Sequence, residues 1–231
     1  FEYMLGISGQ AGNINGEIVP GGNPFEAPRA RDFPMPPLQM QLGPRMFRDQ
    51  AEAMGLHPFP MPAANASEAY VNEYGMQLGP CNYCGFCERY GCLNYSKSSP
   101  QTCIMDALKR YENFSYRTHC EVLKVELAED GKTATGVTYF DEAAQEEVFQ
   151  PADLVIMAAY SLHNTHLCLL SGIGQPYDAA SGTGVTGRNY SYQMTGGTTA
   201  FFEDVEFNPF IGSGSTGYVI DDYAINQIDF A

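Results

Sequence analysis

The stretch "CEVLKVELAEDGKTATGVTYFDEAAQEEVFQPADLVIMAAYSLHNTHLCLLSGIG" (residues 120–174) sets the fold class of the chain. "CEVLKVELA" and "TATGVTYFD" each alternate apolar and polar residues, the period of two that belongs to a half-buried strand. "EDGK" between them makes a turn and "EEVFQ" supplies a third strand, so a β-meander is predicted over residues 119–150. "DLVIMAAY" (153–160) abandons the alternation. An uninterrupted apolar run suits a strand covered on both faces, predicted at 153–159. "SLHNTHLCLLSGIG" then reads as a helix at about 161–171, with Ser161 as N-cap and Gly172 as its stop. Strands, a buried strand and a helix in that order give α/β with added β.

Working towards the amino terminus, residues 1–80 are rich in Pro and Gly, and one helix is predicted at 42–55, with Met46, Phe47, Ala51 and Met54 at helical spacing. "SPQTCIMDALKRYENF" (99–114) predicts a second helix, with Ile104, Met105, Ala107 and Leu108 inside. Beyond residue 190 the chain is rich in Gly, Thr and aromatics and suggests strands of a separate sheet. The organisation expected is a Pro/Gly-rich segment (1–78), a central segment with the cysteines, meander, buried strand and helix (79–190), and the start of a further sheet (191–231). The closing "AINQIDFA" stops inside an alternating apolar pattern, which suggests a portion of a longer protein.

The formal net charge of −15, with only 12 scattered Lys and Arg, argues against nucleic acid, whose phosphates need clustered cations. No apolar run reaches the ~18 residues of a membrane span. Hydrophobic residues at 44% are enough for a packed core.

Four of the seven cysteines, Cys81, Cys84, Cys87 and Cys92, fall in "PCNYCGFCERYGC" with spacing C-x2-C-x2-C-x4-C. An odd total rules out a fully paired disulfide framework. Repeats of three resemble ferredoxin-type loops, in which a compact turn aims several thiolates at one iron–sulfur cluster, although Leu93 stands where those loops carry proline. One zinc on four local thiolates, disulfides and plain thiols remain alternatives. Cys103, Cys120 and Cys168 read as small buried hydrophobes. His163 and His166, three apart, could share a metal but lack a third ligand in the sequence nearby; His57 and His119 carry no assigned role.

Residues 119–190, through "VLKVELAEDGKTATGVTYFD", "LLSGIG" and "GTGVTGRNY", resemble in order the middle of the glucose–methanol–choline (GMC) family of flavin oxidoreductases. "GNPFEAPRARDFPMPP", "HPFPMPAANASEAY" and "GPCNYCGFCERYGC" are similar to the branch of gluconate and related sugar or polyol dehydrogenases, in its flavoprotein subunit. The resemblance implies FAD in a two-domain flavoprotein, of which this chain is the central part: the FAD-binding α/β domain with its meander, and part of an antiparallel-sheet substrate domain. Val122 matches the position whose backbone pairs with the adenine edge, and Ala158 and Ala159 match the small residues placed against the flavin. The family's amino-terminal GxGxxG is absent and no catalytic residue is assigned; Gln193 stands where many relatives have His.

The implied reaction is oxidation of a CH–OH group of a sugar, sugar acid or polyol, with electrons leaving to a cytochrome c subunit; the resemblance also supports the iron–sulfur reading of the cysteines, with the alternatives above left open. The resemblance further implies a small subunit and a periplasmic, peripherally membrane-associated location, and it implies that these 231 residues alone are inactive. An oxygen-using oxidase of the same family and a non-enzymatic zinc-binding or β-rich module are the alternatives.

Overall fold

The computed structural model describes residues 2–12, 23–27, 29–87, 90–193, 195–207, 212 and 214–223. In chain order the elements are helices α1 (Glu2–Ser8) and α2 (Leu42–Ala53), strands β1 (Phe59–Pro60), β2 (Tyr70–Val71) and β3 (Gln77–Leu78), and single-turn helices α3 (Pro100–Cys103) and α4 (Met105–Leu108). The meander β4 (Cys120–Leu127), β5 (Ala134–Asp141) and β6 (Glu146–Pro151) follows, then helix α5 (Ser161–Leu170) and strand β7 (Tyr218–Val219). They form two compact units: residues 1–115 with 201–231, and residues 116–200. The cysteine-rich loop falls in the first of these units.

The first unit is built by long-range capture more than by regular structure. Ile7, Ala11, Met35, Ala66, Leu78 and Cys103 form its buried cluster, with Tyr70, Tyr74 and Ile104 packed against it. Asn72 staples this core. Its amide donates to the carbonyls of Ile7 (3.0 Å) and Cys103 (2.7 Å), and its oxygen accepts from the amides of Tyr74 and Met76. Full satisfaction is what makes a buried polar side chain tolerable. The same contact corrects the helix predicted over 99–114. It starts as expected, with a Ser99–Thr102 capping box and Pro100 in its first turn. The bond from Asn72 takes the Cys103 carbonyl, Ile104 adopts φ −147°, and the chain makes two single turns instead of one helix.

The segment 1–78 carries two helices, α1 and α2, where the sequence predicts one. Strand β7 pairs antiparallel with β1, Phe59 opposite Val219. This is the one strand described in the tail; residues 224–231 of the expected sheet lie outside the described residues.

The second unit contains the meander, an antiparallel sheet in the order β4-β5-β6. A bulge between Val122 and Lys124 leaves Leu123 without a partner on β5. Val125 and Tyr139 are buried. Helix α5 ends at Leu170 with Ser171 as its C-cap, and the φ of 68° at Gly172 is the left-handed stop predicted for it. Ser171 Oγ accepts the Val125 amide (2.8 Å) and donates to the Leu167 carbonyl (2.6 Å), tying the end of the helix to β4.

Residues 153–159 correct the expectation of a buried strand. They pair with no strand among the described residues, and Leu154 and Ile156 are 75% and 80% exposed. A strand with both faces apolar is stable only with neighbours on its edges and layers on its faces, and the described residues of the second unit supply neither.

Candidate functional site

Within the second unit, β4 is an edge strand. The Glu142 amide donates to the His119 carbonyl (3.0 Å), which makes His119–Glu142 a bonded pair. Antiparallel pairing alternates, so Glu121–Phe140 is bonded and Val122–Tyr139 is not. The Val122 N–H and C=O therefore face the open edge, and the residue is 45% exposed. A donor and an acceptor side by side on an uncovered edge match what the Watson–Crick edge of a purine requires, and no particular side chain is needed.

Ala158 and Ala159 are exposed at the carboxyl end of the bare apolar run. The turn they form is held by a side chain from helix α5. Asn164 Oδ1 accepts the Ala159 amide (2.8 Å), and Asn164 Nδ2 donates to the Met157 carbonyl (3.1 Å). Tyr160 between them has φ 72° and ψ 150°, a left-handed φ that non-glycine residues rarely adopt. The signal available in the sequence was an Asn in the first turns of a helix, where a short amide side chain can reach back to preceding backbone.

The metal reading of the cysteines gains no support from the geometry. Among the described residues no three His, Cys, Asp or Glu side chains are arranged to hold a metal, and no disulfide is present. The sulfurs have separate surroundings instead. Cys81 Sγ accepts the Tyr83 amide (3.4 Å), Cys87 Sγ faces Asn65 Nδ2 (3.8 Å), Cys84 is exposed and Cys92 is half-buried. Lys97 Nζ bonds the carbonyls of Cys87 and Tyr90, fixing the loop from its flank. Cys81, Cys84, Cys87 and Cys92 do not fit a cluster or a zinc in this conformation, and no chemical step is derived through one. His163 and His166 likewise gain no third ligand among the described residues. Cys103 is buried as predicted, whereas Cys120 and Cys168 are half-buried.

His57, given no role above, has a partner far along the chain. Its Nδ1 lies 2.7 Å from Asp222 Oδ1, its amide donates to Asp222 Oδ2 (3.2 Å), and its ring meets Phe25 edge to face. The His57 hydrogen bond holds the Asp222 carboxyl below its ordinary range. His119 Nδ1 makes a longer contact with Glu142, 3.2 Å.

The family model described as GMC oxidoreductase matches residues 60–195, more than half of the chain. The chain belongs to the GMC oxidoreductase family. A relative from Pantoea cypripedii, described as a gluconate 2-dehydrogenase flavoprotein, is 45% identical over 232 residues. That match takes in 99% of this chain and 38% of the relative, so the chain spans well under half of its length. Membership of the GMC family gives the open β4 edge and the small-residue turn a common interpretation. Both fit FAD in their chemistry: a backbone donor–acceptor pair for a purine, and two side chains too small to obstruct a ring.

Proposed function

We propose that this chain is the flavin-holding central part of a GMC dehydrogenase that oxidises a CH–OH group of a sugar, sugar acid or polyol, with gluconate as the first substrate to test. The observation that carries the reading is the 45% identity over 99% of the chain to a protein described as a gluconate 2-dehydrogenase flavoprotein. FAD, when bound, supplies the hydride acceptor. The chain's own part is to bind and orient. The Val122 amide and carbonyl hold the purine edge, and Ala158 and Ala159 leave the approach to the ring open.

The proposal extends to a cytochrome-type electron acceptor and a small subunit in the assembled enzyme, and to a periplasmic, peripherally membrane-associated location. No helix among the described residues is long and apolar enough to cross a membrane.

The test is the full-length protein, purified and assayed for a flavin absorption spectrum and for dye-linked oxidation of gluconate, fructose and sorbitol. Bound FAD with turnover of at least one of these is the expected result. The 231-residue chain alone is expected to turn over none of them. A full-length protein without flavin would overturn the reading.

A further inference from the structure

We infer that Asn164 is a positioning residue for FAD, acting through the Ala158–Ala159 turn; this rests on the flavin reading above. The run 153–159 has no strand ladder among the described residues to fix it, so its end depends on whatever side chains reach it. Asn164 supplies two bonds at once, accepting from the Ala159 amide and donating to the Met157 carbonyl. An amide is the short side chain that offers both an acceptor and a donor at this reach; a carboxylate keeps the first and loses the second. The bonds hold the chain where Tyr160 has φ 72°, a conformation that persists only when its surroundings over-determine it.

The other end of the same helix is also tied. Ser171, just past α5, accepts the Val125 amide of β4, three residues from Val122. Helix α5 is therefore a strut between the two candidate flavin contacts: β4 at its carboxyl end and the small-residue turn at its amino end. Releasing the turn from the strut leaves Ala158 and Ala159 chemically unchanged but no longer fixed relative to Val122. Such a loss weakens binding through the ordering that the site must then undergo. The Ala159 amide, already bonded to Asn164, is not available to the flavin, so the contribution of Asn164 is geometric.

The experiment uses the full-length protein stripped of flavin and titrated with FAD, with binding read from flavin fluorescence and stability from apoprotein melting. Asn164→Leu, alike in its branched heavy-atom shape but unable to bond, is expected to raise the FAD Kd roughly ten-fold, the scale of losing one to two hydrogen bonds at a fixed turn. Asn164→Asp should fall between Leu and the wild type. Adding Tyr160→Gly to Asn164→Leu should make the turn looser still and raise Kd further, whereas Tyr160→Gly beside an intact Asn164 should change Kd little. The melting temperature of Asn164→Asp apoprotein should stay near wild type while its Kd moves, a split that a purely stabilising residue would not give. Should Asn164→Leu fail to fold, Asn164→Asp decides alone. Wild-type affinity in the Asp and Leu variants overturns the proposal and leaves the flavin reading standing, whereas a wild type that binds no FAD overturns the reading itself.

Discussion

His57 and Asp222 meet across 165 residues of chain, the ring and the amide of one residue both bonded to the carboxylate of the other. The pair sits beside the two-residue ladder of β1 and β7, and the neighbouring Asp221 accepts from Asn23 Nδ2 (2.6 Å). Two adjacent acidic residues thus secure a late segment of the chain to two early ones.

That arrangement has an acid limb. A carboxyl held below its reference value of 3.8 contributes stability that is present above that value and lost as pH falls through the lower folded one. Asp222→Asn should lower the melting temperature at pH 6 and flatten its decline between pH 4 and pH 2. Melting curves across that range check it; parallel declines for both proteins would show that Asp222 does not titrate against His57.

Asn72 should be among the most sensitive polar positions. Asn72→Ala removes four hydrogen bonds and leaves buried backbone groups unpaired, which costs roughly 3 kcal/mol or more. Asn72→Asp keeps the two acceptor bonds but loses both donor bonds, so it should also destabilise the protein. Chemical denaturation of the two variants measures the difference.

Thiol chemistry distinguishes the cysteine readings. The exposed Cys84 should react first with an alkylating reagent, and the 4% exposed Cys103 only on unfolding. Peptide mass spectrometry gives the order. Joint protection of Cys81, Cys84, Cys87 and Cys92 in the full-length protein, released by a chelator, would restore a metal to this loop.

Val122 offers a test of backbone recognition. Val122→Thr should bind FAD as the wild type does, because the edge-facing groups belong to the main chain. Val122→Pro removes the N–H and should weaken FAD binding at least ten-fold. Equal affinities in flavin titrations would remove Val122 from the site.

The meander and α5 were legible because their signals are local: alternation, a turn between, and a left-handed glycine stop. The interruption at Ile104 was not, since it follows from Asn72, a partner some thirty residues earlier. The apolar run at 153–159 has the composition of a covered strand, but covering needs neighbours that the described residues of the second unit do not supply. The candidate site divides in the same way. Val122 and the alanines came from a family pattern, while Asn164 and the His57–Asp222 pair depend on where side chains reach in space. For the cysteines, spacing brought four thiols near one another in sequence and could not say which way each sulfur turns.

The long closures of the first unit also impose an order on synthesis. Residues 23 and 57 leave the ribosome well before Asp221 and Asp222, with the whole meander and α5 made in between. At ~5–20 residues per second, His57 waits roughly 8–30 seconds for the carboxylate 165 residues later. The second unit, whose strands are joined by short local turns, can form during that interval. On a translating ribosome the second unit can therefore form before the first makes its contact between His57 and Asp222.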